Sequence, residues 1–177
     1  MSLLAAYIIH HKAYRLFLAG MLVLLAGSCR FNPDIQYEGA DYLQGVWTQD
    51  SIPMQDELLQ YTLHDLKFTC DSIYATLHVT SKVKNIADSC YNGGHWTEYA
   101  KGIYVVRGDS LLVDGLYTKP NGKQKISGCY RSGQYLPRFK IVRYTADSLM
   151  LENRYDPRPL LLRKTAEITC VPRKRWE

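Results

Sequence analysis

The stretch Val106–Val113 reads VRGDSLLV and places a tight turn between two apolar runs. The same pattern recurs as FTCDSIYA at Phe68–Ala75 and as YTADSLML at Tyr144–Leu151, so its Asp-Ser pair repeats at equal intervals of 38 positions. Short Asp and Ser side chains hydrogen-bond nearby backbone amides, and they therefore favour positions where a strand reverses direction. We expect a repeated hairpin unit and an all-β chain.

Alternating apolar and polar residues around these turns indicate strands with one buried face and one wet face. Leu66 and Phe68 alternate with polar neighbours before the first turn, and Ile73–Val79 does so after it. The whole pattern predicts a single antiparallel β-barrel or barrel-like sheet of about eight to nine short strands. One of these strands is expected over Gln124–Arg131, and one short helix over Met54–Gln60.

Residues 1–28 have the pattern of a secretory signal. Two basic residues precede the apolar run Leu16–Ala26, which is too short to span a bilayer as a stable helix. The following stretch, LAGSC at Leu25–Cys29, resembles a bacterial lipobox, in which the cysteine sulfur receives a diacylglyceryl group before cleavage. We therefore expect a lipoprotein signal peptide over residues 1–28 and lipidation of Cys29.

This resemblance implies that Cys29 becomes the mature N-terminus and carries acyl chains such as palmitate. Several chains give stable anchoring, because each buried methylene contributes about 0.8 kcal/mol. Residues 29–40 are interpreted as the lipidated cysteine and a tether, and residues 41–177 as the barrel domain. The implied location is the bacterial cell envelope, at the outer membrane. The alternatives are a plain signal peptide with an incidental cysteine, and an N-terminal membrane anchor.

Composition indicates one globular domain without a nucleic-acid partner. The chain has 177 residues, of which 46% are hydrophobic and 22% are charged, so it can bury a core of ordinary size. Its formal charge of +5 falls to +3 once Lys12 and Arg15 are removed with the signal peptide. The basic run Arg173–Arg175 is interpreted as a solvated chain end.

Four further cysteines, an even number in an exported chain, predict two disulfides. They are Cys70, Cys90, Cys129 and Cys170. Three pairings are open. Counting alternate strand directions favours Cys70 with Cys129 at one end of the strands and Cys90 with Cys170 at the other. The sequence contains no Cys-x-x-Cys and no histidine at zinc-finger spacing, so we expect no metal site.

The stretch LQGVW at Leu43–Trp47 resembles the Gly-x-Trp motif on the first strand of lipocalins and lipocalin-like lipoproteins. The resemblance implies a lipocalin-like barrel in which Gly45 and Trp47 are structural. It also implies that Arg163, on the last expected strand, packs across the tryptophan. Closing an up-and-down barrel brings the first and last strands together, which makes this contact geometrically reasonable.

The chain after Cys29 also resembles a group of lipoproteins from the Bacteroidetes, some of which are labelled fumarate hydratase. The resemblance is carried by LHDLKFTCDS at Leu63–Ser72 and QKISGCY at Gln124–Tyr130. Hydration of fumarate needs an acid–base pair around a dicarboxylate clamp, and no motif in the sequence marks one. The sequence likewise shows no phosphate loop or cofactor motif, so we expect no cofactor.

Three functions are consistent with this sequence. The first is a binding module that holds a small apolar or amphipathic molecule, since closed β-barrels place such sites in their mouths. The second is an interaction or scaffold lipoprotein whose outer surface contacts another envelope protein. The third is a hydratase or lyase. Each candidate ligand contact also has a purely structural interpretation; the candidates are His64, Phe68, Trp96 and Tyr104.

Overall fold

The computed structural model describes residues 36–174, and β-strands dominate this range. The strands are β1 (Gly45–Thr48), β2 (Gln60–Thr69), β3 (Ser72–Ser81), β4 (His95–Arg107), β5 (Ser110–Thr118), β6 (Gln134–Tyr135), β7 (Arg138–Tyr144), β8 (Ser148–Asn153) and β9 (Asp156–Ala166). One short α-helix, α1 (Asp88–Tyr91), lies within the same range, with 3-10 turns at Asp41–Leu43, Gln55–Glu57 and Asn92–Gly94. The expected signal peptide, lipidated Cys29 and start of the tether lie outside the described residues.

Eight of the strands close a barrel in which all neighbours are antiparallel. Strands β1 to β5 pair in sequence order, and β5, β7, β8 and β9 continue the ring. Strand β9 returns to β1, where Trp47 pairs with Lys164. The two-residue β6 lies outside the ring and pairs with β5. The all-β fold class and the single closed barrel expected from the sequence are confirmed.

Alternating strand directions place the connections at two ends of the barrel. We call one end the closed end, and it is formed by the three Asp-Ser turns, at Asp71, Asp109 and Asp147. We call the other end the open end, and it is formed by the longer connections, at residues 49–59, 82–94 and 119–133. The described chain also enters at the closed end, through the 3-10 turn before β1. The hairpin turns expected from the repeat are thus confirmed.

Inward-pointing side chains fill the barrel from its closed end to its middle. The largest fully buried ones include Trp47, Phe68, Leu66, Ile73, Leu111 and Leu149. Trp47 donates its indole N–H to the carbonyl of Leu43 at 2.8 Å, so its one polar atom is satisfied. Gly45 has a φ of 138°, and a Cβ there would lie 2.7 Å from the Ala166 carbonyl oxygen. Glycine therefore allows β9 to approach the start of β1.

The cation that packs across Trp47 is Lys164, and the expectation for Arg163 is wrong. The Lys164 ammonium lies 4.9 Å from the centroid of the indole ring, and this side chain is only 11% exposed. Arg163 is 58% exposed and forms a two-bond ion pair with Asp50, at 2.9 and 3.0 Å. Side chains alternate along a strand, so position 164 shares the face of Leu162, and position 163 does not.

Two disulfides form among the four cysteines, as expected, but with different partners. Cys70 is bonded to Cys170 at the closed end, and Cys90 is bonded to Cys129 at the open end. The expected pairs are wrong because Gln124–Arg131 forms an irregular connection rather than a strand. Without that strand the chain does not cross the barrel before Cys129, which therefore stays at the end where Cys90 lies.

Replacing Lys164 with Met tests the contact across Trp47. Methionine keeps most of the apolar stem and removes the charge, so we expect the free energy of unfolding in urea to fall by about 1 kcal/mol. Arg163→Met is the matched control and should leave stability essentially unchanged, because its ion pair is exposed. Equal effects of the two substitutions would contradict the assignment.

Candidate functional site at the open end of the barrel

Two of the four expected ligand contacts, Phe68 and Tyr104, are packed in the core. Their rings meet edge to face at 5.1 Å, and both side chains are buried. The Tyr104 hydroxyl accepts hydrogen bonds at 3.1 Å from the amide of Ala40 and from the side chain of Gln44. Both residues face inward as expected, but they belong to the closed end. The structure therefore gives them a packing role, and their contact with a ligand stays a prediction that these contacts do not favour.

Gln44 seals the closed end, and the sequence analysis did not identify it. Its side-chain amide donates to the carbonyl of Cys70 at 2.9 Å and accepts from the amide of the same residue at 2.7 Å. It therefore pairs with Cys70 as a neighbouring strand would. The same amide nitrogen contacts the carbonyls of Glu38 and Ala40, which draws the incoming chain across the barrel.

The other two expected contacts, His64 and Trp96, lie at the open end beside two adjoining cavities. The polar cavity, of about 240 Å³, is lined by residues that include Gln49, Gln60, His64, Arg131, Asp156 and Arg158. The aromatic cavity, of about 420 Å³, is lined by residues that include Thr62, Val79, Ile86, Trp96, Glu98 and Tyr130. Gln60, Thr62 and Arg131 line both cavities. His64 and Trp96 thus border neighbouring parts of one mouth.

A buried carboxylate, that of Glu98, organises the wall between the cavities. Its side chain is 4% exposed, and its two oxygens accept from Trp96 Nε1 at 3.0 Å and from Arg131 Nε at 2.9 Å. The guanidinium of Arg131 also lies 5.3 Å from the ring centre of Tyr117. A carboxylate this deeply buried needs such partners, because unpaired burial of a charge is costly.

The connection 119–133 supplies Tyr130 and Arg131 to the mouth. The ring of Tyr130 stacks on Trp96 with centroids 5.0 Å apart and planes nearly parallel. The disulfide from Cys129 to Cys90 ties this connection to the one between β3 and β4. Neither residue is among the expected contacts, because the sequence pattern predicts a strand over Gln124–Arg131. Their signal was the adjacent cysteine, which marks a loop held against the barrel.

His64 presents a neutral imidazole to the polar cavity. Its Nδ1 lies 3.0 Å from the side-chain oxygen of Gln49, and a carboxamide oxygen only accepts, so Nδ1 carries the proton. Burial lowers the pKa of His64 to about 4, and the nearby Arg131 lowers it further, against opposing effects of Asp156, Asp65 and a hydrogen bond with the backbone of Thr62. The other ring nitrogen, Nε2, accepts no hydrogen bond from any described residue.

The rim of the polar cavity carries a second ion pair. Arg158 donates to Asp156 through two parallel bonds of 2.7 and 2.9 Å. These bonds lower the pKa of Asp156, which therefore stays ionised over the physiological range. Both guanidiniums that line the cavity, those of Arg131 and Arg158, are thus already bound to carboxylates.

Comparison with protein-family models, with curated proteins and with solved structures finds no match for this chain. Within residues 36–174, no helix is long and apolar enough to cross a membrane. The same residues contain no group of three or more His, Cys, Asp or Glu side chains placed to hold a metal ion. The site is therefore interpreted from its own geometry.

Acid should destabilise the barrel through His64. Its pKa of about 4 in the folded state lies below the usual value near 6.5, so the unfolded chain binds more protons between these values. Stability should therefore fall as the pH drops from about 6.5 to 4, by an amount on the order of 3 kcal/mol from this residue. Urea titrations across this range, with His64→Gln as the control that lacks the effect, measure it. A ring that titrates near 6.5 by NMR would contradict its enclosure.

Removing Arg131 should lower the stability of the protein, because the buried carboxylate of Glu98 depends on this partner. We expect Arg131→Met to lower the free energy of unfolding by about 2 kcal/mol, because Glu98 stays buried and loses its ion pair. Adding Glu98→Gln should recover part of this loss, since a neutral amide oxygen still accepts from Trp96. Arg158→Met, at the more exposed pair, should cost less than Arg131→Met. A double variant less stable than Arg131→Met alone would contradict this account.

Proposed function

We propose that the protein is a binding module that holds a small amphipathic molecule at the open end of its barrel. One observation carries the proposal: side chains fill the closed end and the middle, whereas the open end keeps two adjoining cavities. Ligand sites of β-barrels lie in such mouths. At the closed end Gln44 seals the barrel, and the cavity of about 300 Å³ beside it is lined by the chain before β1 and the chain after β9, with no strand residue.

The chemistry of the two cavities supports an amphipathic ligand over a purely apolar one. The polar cavity presents amides, an imidazole and two ion pairs, which suit a polar group. The aromatic cavity presents Val79, Ile86 and Trp96, which suit an apolar group. A molecule with one part of each kind would satisfy both cavities at once, because buried polar groups need partners and apolar surface gains by burial.

The proposed setting is the bacterial cell envelope, with a lipid on Cys29 as the anchor. The described chain begins at Gln36, next to the closed end, where its side chain donates to Ser72 at 2.9 Å. Gln36 lies seven positions after Cys29, a separation that spans at most about 25 Å when the chain is extended. An anchor at Cys29 would therefore keep the closed end near the bilayer and leave the open end accessible.

A second candidate function, protein interaction, is favoured by the outer surface of β3, β4 and β5. A groove of about 700 Å³ crosses this surface, with Tyr74, Ile103 and Leu116 as its exposed apolar side chains. Lys101 and Asp114 add charges of both signs along the same groove. Apolar groups rimmed by charge are typical of sites that contact other proteins.

Hydratase activity, the third alternative, receives less support from the geometry. A dicarboxylate clamp needs cations free to bind the substrate. Arg131 and Arg158 line the polar cavity, but each is already paired with a carboxylate of the protein. The neutral His64 has a pKa of about 4, so it is a weak base at neutral pH.

Native mass spectrometry of residues 30–177, produced in an oxidising compartment, tests the binding proposal. We expect an extra mass that is lost on denaturation, and we expect Trp96→Ala to lose it because that substitution removes the apolar wall. Trp47→Phe, at the closed end, is the control that should retain the mass. Retention of the mass by Trp96→Ala would place the ligand elsewhere, and a clean mass for the unaltered protein would favour the interaction function.

A further inference from the structure

The polar cavity has no net charge to offer a ligand. Its two arginines are matched by two carboxylates, with Arg131 bound to Glu98 and Arg158 bound to Asp156. The imidazole of His64 is held neutral by its enclosure and by the nearby guanidinium of Arg131. An anionic or cationic ligand that enters this cavity would lose hydration without meeting an unpaired opposite charge, which is unfavourable.

The polar cavity keeps several N–H donors and one acceptor that no described residue uses, and the acceptor is an imidazole nitrogen. Nδ1 of His64 is occupied by Gln49, and this bond fixes the ring in the tautomer that leaves a lone pair on Nε2. That atom accepts no bond from a described residue. Within residues 36–174 no side-chain nitrogen or oxygen is both buried and without a partner, so Nε2 is open to the cavity that His64 lines. A ligand group that donates is the complement of this atom.

The other side chains that line the polar cavity favour an uncharged ligand group that carries several hydroxyls. Gln49, Gln60 and Asn153 contribute carboxamides whose oxygens already accept from His64, Asn85 and the amide of Tyr155, so their N–H groups are left to donate. Hydroxyl groups both donate and accept, so they can accept from these N–H groups and donate to His64 Nε2. The cavity, of about 240 Å³, has room for a group several times larger than a water molecule, which occupies about 30 Å³.

We infer that the polar end of the ligand is an uncharged, hydroxyl-rich group, of the kind found in sugars and polyols, and that one hydroxyl donates to His64 Nε2. The inference rests on the proposed function and specifies the chemical class that the open end selects. The apolar part of the same molecule lies in the aromatic cavity, against Trp96 and Ile86. His64 is then the residue that favours a ligand hydroxyl, which can donate to Nε2, over an anionic group, which cannot.

Three amphiphiles with the same octyl chain test the inference on the unaltered protein. They are octyl glucoside, octyl phosphate and octyltrimethylammonium, each titrated below its micelle concentration at neutral pH. We expect octyl glucoside to bind at least about tenfold more tightly than either ion, because the ions lose hydration without a free partner. Calorimetry gives the affinities. The nitrogen NMR signal of His64 Nε2 should shift with octyl glucoside alone.

Substitutions at two histidines separate the role of the acceptor from a general effect on the fold. His64→Phe removes Nε2 at similar volume and should weaken octyl glucoside by about tenfold. His64→Gln restores an acceptor oxygen and should recover most of the affinity. His78→Phe is the matched control, because His78 lies on the outer face of β3 and pairs with Asp65. Its affinity should not change.

The experiments distinguish failure of this inference from failure of the proposed function. Tighter binding of octyl phosphate than of octyl glucoside would overturn the inference and leave the binding module in place. Equal weakening by His64→Phe and His64→Gln would also overturn it, since the acceptor would then be irrelevant. Absence of binding by all three amphiphiles would overturn the proposed function itself. The comparison of head groups needs no variant, so it stands even if a substitution at His64 impairs folding.

Discussion

The antiparallel pairing of β9 with β1 is the constraint on which the rest of the structure depends. It closes the ring, and it requires Gly45, because a side chain there would collide with the carbonyl of Ala166. Once the ring is closed, every inward position must either be filled or border a cavity. Trp47 and the residues packed around it fill the closed end, and Gln44 satisfies the backbone there. The open end is the region where two adjoining cavities remain.

The inner face changes from apolar to polar along single strands, which is a costly arrangement for a structural barrel. On β2 the inward positions pass from Phe68 and Leu66 to His64 and Thr62 as the strand approaches the open end. On β4 the same face passes from Ala100 to Glu98, whose carboxylate is buried with its arginine partner. A buried ion pair is often less stabilising than apolar side chains of similar size. Polar groups retained in that position therefore support the proposed binding function, since they add little stability.

Local patterns in the sequence predicted the hairpins and the inward faces, since both depend on neighbouring residues. The period of two placed His64 and Phe68 on the inner face correctly, and the same rule applied to β9 would have selected Lys164 over Arg163. Depth along the barrel is not a local property. Phe68 and Tyr104 face inward but are sealed off by Gln44, whose partners lie 26 and 60 positions away in sequence. The expected cysteine pairs are wrong for a related reason. One strand that does not form assigns every later residue to the opposite end of the barrel.

The two disulfides hold the two ends separately, and the one at the open end bears on binding. The connection 119–133 has little regular structure of its own, yet three links fix it: the bond of Cys129 to Cys90, the stacking of Tyr130 on Trp96, and the ion pair of Arg131 with Glu98. The three links start from consecutive residues of this connection, and two of them end on the same face of β4, at Trp96 and Glu98. Each link therefore limits the movement of the other two. A wall that is ordered before the ligand arrives loses little entropy on binding. A small cavity lined largely by neutral hydrogen-bonding groups can then select a ligand by the direction of its hydrogen bonds rather than by its charge.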